Sequence, residues 1–339
     1  MKDPFPFKPP PSLVQAVQPW AELFSLPTLP LHIHEILASS LLYTLIYWPI
    51  SPLISRYVVG ERYDKLSRKR RVNWDAHVVS FVQSTLINCL ALWIMFADAE
   101  RNKMDWQARI WGYTGALGMI QALAAGYFLW DLVVTSRNMD VFGPGTLAHA
   151  LSALLVYSFG FRPFVNYYAP TFILWELSTP FLNIHWFLDK LGLTGSRVQL
   201  YNGLILIATF FSCRLVYGTY QSCMVLGDIW AALGTGPTHD PDGVPVALEM
   251  GDYVDSSGFV IGASEIPWWL ALSYLASNLT LNGLNFYWFV MMIRAVRKRF
   301  QPPKRKDSDR ETQVCVPEDV HTEAKLPASV EDPLRRRRV

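Results

Sequence analysis

Four ionisable residues, Asp131, His149, Glu176 and Arg214, interrupt otherwise apolar runs of this 339-residue chain. A charge placed at the centre of a bilayer costs about 2.5–3.5 kcal/mol on insertion scales. Such residues are therefore expected to face a bundle interior or a wet cavity. Their neighbours fall at helical spacing. Tyr127, Asp131 and Thr135 share a face, as do His149, Ser152 and Val156. Glu176, Thr179 and Asn183 form a third stripe, and Arg214, Tyr217 and Gln221 a fourth. Narrow polar stripes on apolar helices suit a bundle with a partly polar interior, fit for an amphipathic ligand such as a lipid. Tyr127, Asp131, Glu176, Thr179, Asn183 and Arg214 are the candidate lipid-binding residues. His149 is the candidate catalytic residue, a general base for acyl transfer oriented by Asp131 or Glu176. Plainer roles stand beside these. Arg214 can form a structural ion pair with Asp131 or Glu176, His149 can pack, and hydroxyl stripes can join helices. No metal ligand set is expected, because Cys89, Cys213, Cys223 and Cys315 are scattered and the seven histidines make no HxxHH box. No cofactor is expected either.

These residues need helices to carry them. Hydrophobic residues make up 51% of the chain and charged residues 17%, below the quarter usual in soluble domains. Apolar runs of transmembrane length cover 36–54, 78–97, 110–136, 141–161, 163–188, 198–226 and 268–293. The expectation is an all-α membrane protein of about seven transmembrane helices. In the fifth run Pro163, Pro170 and Pro180 are placed to kink the segment or make it re-entrant. The small residues Gly112, Gly115, Gly118, Ala122 and Gly126 read as a close-packing face; no strand precedes them as a phosphate loop would require.

Charge sets the expected orientation. Arg62, Lys65, Arg68, Lys69, Arg70 and Arg71 join the first two runs and place that loop in the cytosol. Alternation then puts the N-terminus in the lumen and the C-terminus in the cytosol. The loop 227–264 carries six acidic residues and no Lys or Arg, while Arg294, Arg297, Lys298 and Arg299 follow the last run. Residues 1–30 hold eight prolines and read as a lumenal segment, with a short interfacial helix near 13–26. Residues 31–60 hold the first transmembrane helix. Residues 301–339 read as a disordered, charged cytosolic tail ending in four arginines before Val339. That ending suits endoplasmic-reticulum retention, anionic-lipid contact or simple solubility.

Several classes are excluded. A net charge of +2 offers no basic field for nucleic acid. Ser136-Arg137-Asn138 is no DRY-like triplet and the last run lacks NPxxY, against a G-protein-coupled receptor. Walker A, GxSxG and DHHC patterns are absent. No internal symmetry suggests an inverted-repeat transporter.

The chain resembles the TLC domain family (TRAM, Lag1, CLN8). Asn73-Trp74-Asp75 with Val79-Ser80 and Gln83-Ser84 is similar to the family's opening "WN…VS…HS". Gly126 to Leu132 reads GYFLWDL, like its "GYFxxDL" segment. His149 lies where the family has a His–His pair. Glu176 to Asn183 reads ELSTPFLN, followed by Trp186-Phe187, and resembles the "ELSTPFxNxRWFL" signature of the TMEM56-like (TLCD4) branch. The similarity runs over 65–300, the expected TLC domain. It implies a six-helix bundle around a lipid-sized tunnel, one extra N-terminal span, and an endoplasmic-reticulum or related membrane. Family activities diverge, from ceramide synthesis to translocation assistance and cargo escort. This chain departs from ceramide synthases: Ala150 replaces the second histidine, and Glu176 stands in place of their aspartate pair. Gln83 replaces the opening histidine, and His185 the signature arginine.

The leading expectation is a polytopic endomembrane protein that binds or handles a membrane lipid and contributes to lipid homeostasis. Its alternatives are an acyltransferase using acyl-CoA and a cargo or translocation-assisting receptor. A lipid binder should fail when bulk is introduced at Gly126 or Ala150.

Overall fold

The structure is a computed structural model that describes residues 1–235 and 266–300. The tail 301–339, its terminal arginines and the acidic loop beyond 235 lie outside the described residues. The described chain is helical throughout. Helix α1 spans Pro11–Phe24. Helix α2 runs Leu29–Val59, α3 Arg68–Ala97, α4 Gly115–Arg137 and α5 Met139–Phe159. Helix α6 is Thr179–Lys190, α7 is Arg197–Leu233 and α8 is Trp268–Phe300.

Five of these, α2, α3, α4, α5 and α7, are long and apolar enough to cross a membrane. The eighth is of similar length, 33 residues, but Asn278, Asn282 and Asn285 make it less apolar. The fifth expected span is not one helix. Residues 166–190 form a 3-10 turn, a short α piece, a second 3-10 turn and then α6. Pro170 and Pro180 sit in the first turns of their α pieces, where a missing N–H costs nothing. The prolines therefore start new helices rather than bend one.

Helix α4 is the axis of the bundle: 72% of its apolar window is buried, against 28–39% for the other four. Its small residues explain this. A Cβ on Gly126 would stand 2.5 Å from the Ile36 carbonyl oxygen on α2, and Gly118 is closed by His32. Ser39 and Ser40 of α2 donate to the carbonyls of Leu123 and Gly126 at 2.8 and 2.6 Å. Hydroxyls and small residues thus replace the hydrophobic effect as helix–helix adhesive. Of the close-packing face read from the sequence, Gly118 and Gly126 meet α2, while Gly115 meets the Asp3 backbone. Gly126 is accordingly a helix contact, which corrects its expected place beside a ligand.

Two local distortions interrupt the long helices. Pro49 sits in a π turn, Ile46–Ile50, that divides α2. In α5, Gly143 takes φ 76°, a left-handed value that glycine adopts freely, and Pro144 follows it. Outside, Trp48, Phe96 and Trp230 are among many large apolar side chains left exposed. An apolar surface of that extent marks a membrane-facing protein.

Candidate functional site

A cleft opens between α4, α5, the 3-10 segment Leu174–Ser178 and α8. Its walls include Phe128, Ala153, Tyr157, Trp175 and Tyr274, and its polar groups are His149, Glu176 and Asn278. Its interior volume is about 30 Å³, room for a water or two. The cleft is narrow: water fits, and a lipid chain enters only when the walls part.

The Glu176 end is anchored by Arg214. The arginine lies in a π turn, Phe211–Tyr217, that interrupts α7; such turns recur at functional sites. Its Nη2 donates to Glu176 Oε1 at 3.1 Å and to Thr179 Oγ1 at 3.0 Å. Its Nη1 donates to Asn285 Oδ1 at 3.0 Å and its Nε to Ser178 Oγ at 3.3 Å. Thr179 in turn donates to Glu176 Oε2 at 2.7 Å. The guanidinium stands 5.0 Å from the Phe210 ring centroid. The side chains of Arg214 and Glu176 are 7% and 11% exposed, so this is a buried pair and not a surface one. Of the two partners open to Arg214 from the sequence, the structure selects Glu176.

His149 lies across the cleft, edge-on to Phe128 at 5.9 Å and tilted against Trp288 at 5.5 Å. Among the described residues it has ring neighbours and no hydrogen-bond partner. Asp131, one of its two expected orienting groups, accepts from Thr135 Oγ1 at 3.3 Å. Tyr127 packs edge-on to Tyr43 at 5.2 Å and stacks on Trp130. Neither Tyr127 nor Asp131 is among the cleft-lining residues.

Asn183 belongs to a second cluster. It accepts from His77 Nδ1 at 2.6 Å and donates to Ser80 Oγ at 3.1 Å. The His77 ring stacks on Trp186 at 4.1 Å, and Trp186 meets Trp74 at 5.6 Å. Trp74 donates to Ser55 Oγ at 2.8 Å, while Asp75 accepts from Ser51 Oγ at 2.6 Å and from Tyr63. The Asn73–Ser80 motif therefore clasps the end of α2 on one side and α6 on the other. That is a structural reason for these residue types to occur together. At the opposite end, Arg109 donates to both carboxylate oxygens of Asp228 at 2.7 and 2.9 Å. The Asp228 bond pushes the Arg109 guanidinium pKa further up. Tyr168 donates to the same carboxylate at 2.5 Å.

Of the stripes read from the sequence, the structure brings together His149 and Glu176 on the cleft, with Thr179 and Arg214 behind. It does not bring Tyr127, Asp131 or Asn183 there. The sequence reasoning missed Ser178, Asn278 and Asn285. A signal existed: Asn278, Asn282 and Asn285 fall at i, i+4 and i+7 along an uncharged run. Asn278 is 3% exposed.

Comparison with known proteins adds the family. The TLC domain (TRAM_LAG1_CLN8) matches residues 73–294. An uncharacterized TLC domain-containing protein of Schizosaccharomyces pombe is 40% identical over 294 residues, 87% of this chain and 89% of its own length. Topoisomerase I damage affected protein 4 of Saccharomyces cerevisiae is 25% identical over 278 residues, 80% of this chain and 86% of its own. TLC domain-containing protein 4 of Homo sapiens is 29% identical over 160 residues, 46% of this chain and 59% of its own.

Proposed function

The chain belongs to the TLC domain family, and on that premise we propose that it holds a membrane lipid in the α4–α5–α8 cleft and contributes to lipid homeostasis. The observation that carries this is the cleft's composition. Aromatic and aliphatic walls enclose a few fixed polar groups, the arrangement of a site that accepts an amphipathic ligand. Glu176, held from behind by Arg214, and His149 would meet the headgroup, and the apolar walls the first part of a chain. Endoplasmic-reticulum residence belongs to the same proposal and follows from the family resemblance, while the cytosolic placement of the Arg62–Arg71 end rests on the charge distribution.

Binding is favoured over acyl transfer for a geometric reason. A general base needs a group that orients it, and the carboxylate on the cleft is engaged by Arg214 and Thr179 instead of His149. Acyl-CoA as a substrate therefore has the weaker support.

The test is lipid content. The full chain is purified in mild detergent beside Ala153→Trp, which fills the cleft, and beside His149→Ala. Mass spectrometry of co-purifying lipids should show one class depleted in Ala153→Trp and retained in His149→Ala. Identical lipid in wild type and Ala153→Trp would refute the cleft as the site. A labelled product from acyl-CoA and lipid acceptors, made by wild type and lost in His149→Ala, would establish transfer instead.

A further inference from the structure

A second cluster lies outside the cleft, where the N-terminal segment meets α2 and α4. His32 and Glu35, one turn apart on α2, are 1% and 0% exposed. Asp3 joins them from the extended chain before α1. One ligand atom from each of Asp3, His32 and Glu35 lies within 4.8 Å of the others. We propose that these three side chains form a binding site for a divalent cation of the zinc type, tying the N-terminal segment to the bundle.

The three side chains stand at close range. His32 Nδ1 is 2.9 Å from Glu35 Oε1 and 3.7 Å from Asp3 Oδ2. Donors that each sit ~2.0–2.2 Å from one zinc lie roughly 3–3.5 Å apart. The two distances from His32 bracket that value. Glu35 Oε2 is buried and has no hydrogen-bond partner. A carboxylate oxygen left so is costly unless something positive meets it. His32 Nε2 is bonded to the Tyr113 hydroxyl. His32 Nδ1 is hydrogen-bonded to Glu35 Oε1 at 2.9 Å; a cation would take the place of the proton between them, with Nε2–H donating to the tyrosine, which fixes the ring as outer-shell partners of metal-bound histidines do.

The segment is built to deliver Asp3. Its Oδ1 accepts from the Phe5 amide at 2.9 Å, which leaves Oδ2 on the histidine side. Its backbone rests on Gly115, where a Cβ would collide with it. Ala116 N–H donates to the Met1 carbonyl at 3.4 Å. An imidazole with two carboxylates selects zinc or a neighbouring transition ion over magnesium or calcium, which take oxygen ligands. The spacing rules applied to the sequence looked for cysteine pairs and histidine boxes. A set drawn from positions 3, 32 and 35 escapes both.

The experiment is independent of the lipid reading. The full chain, purified without chelator, should carry stoichiometric zinc by elemental mass spectrometry. Asp3→Asn, His32→Asn and Glu35→Gln should each lose it. Tyr113→Phe should keep the site with affinity lowered about 10–100-fold. Stripping the wild type with a chelator should lower its unfolding temperature, and zinc should restore it. Cobalt in place of zinc should give visible absorption bands. These wild-type readings decide the matter where a variant does not fold. No stoichiometric metal together with no chelator effect would overturn the proposal. Metal that persists unchanged in all three ligand variants would place it elsewhere and overturn it equally.

Discussion

Removing either member of the Arg214–Glu176 pair should damage the bundle more than removing both. Arg214→Met strands the Glu176 carboxylate with one donor, Thr179, and takes a hydrogen bond each from Ser178 and Asn285. Glu176→Gln keeps an acceptor for Nη2 but leaves the guanidinium, 7% exposed, without a counter-charge. Breaking one side of a buried pair costs about 3–5 kcal/mol, whereas replacing both charges with neutral groups is close to neutral. The singles should therefore each lose about 3–5 kcal/mol, the double variant about 1 kcal/mol or less, and the coupling should be at least about 5 kcal/mol. Equilibrium unfolding of the four proteins in mixed micelles, followed by tryptophan fluorescence, reads all four corners. Singles that each lose less than about 1 kcal/mol and simply add would refute the argument, because that is the behaviour of a solvated pair.

Other substitutions separate packing from ligand contact. Gly126→Ala should lower stability by about 1–3 kcal/mol by pressing on the Ile36 carbonyl. Lipid per folded chain should stay unchanged, and lipid lost in proportion to cleft-filling variants would contradict that placement. Asn183→Ala should cost about 1–3 kcal/mol by stranding the His77 ring N–H, read as an unfolding shift. It should leave lipid content intact, since Asn183 is tied to α3. Asp228→Asn should weaken the clamp on Arg109 and Tyr168 and speed proteolysis around residues 103–114, with no change in lipid content; an unchanged digestion pattern would discount the clamp.

Much of the architecture was legible because membrane burial writes itself into composition. Uncharged runs marked the long helices, and prolines at 163, 170 and 180 marked the one that is broken. The glycine face on α4 could be read as packing because a backbone approach needs small residues. The family was legible in the ordered motifs, which the structure explains as interlocking surfaces: Trp74 and His77 against Trp186, Ser80 against Asn183.

Periodicity shows which residues share a helix face and nothing about what that face meets. Asn183 follows Glu176 and Thr179 at helical spacing, yet Glu176 lies in a 3-10 turn and Asn183 in α6, so the stripe divides. Asp131 and Glu176 were equal partners for Arg214 by charge alone. The choice fell to Glu176 because the π turn in α7 and the prolines before α6 aim the two side chains at each other.

The sequence by itself determined that this is an all-helical membrane protein of the TLC family, since hydrophobic length, charge asymmetry and motif order are one-dimensional properties. Only the tertiary structure decided which polar groups converge. Convergence of residues such as 3, 32 and 35, or 149, 176 and 214, depends on helix rotation and backbone distortion, and these are set by packing between distant segments.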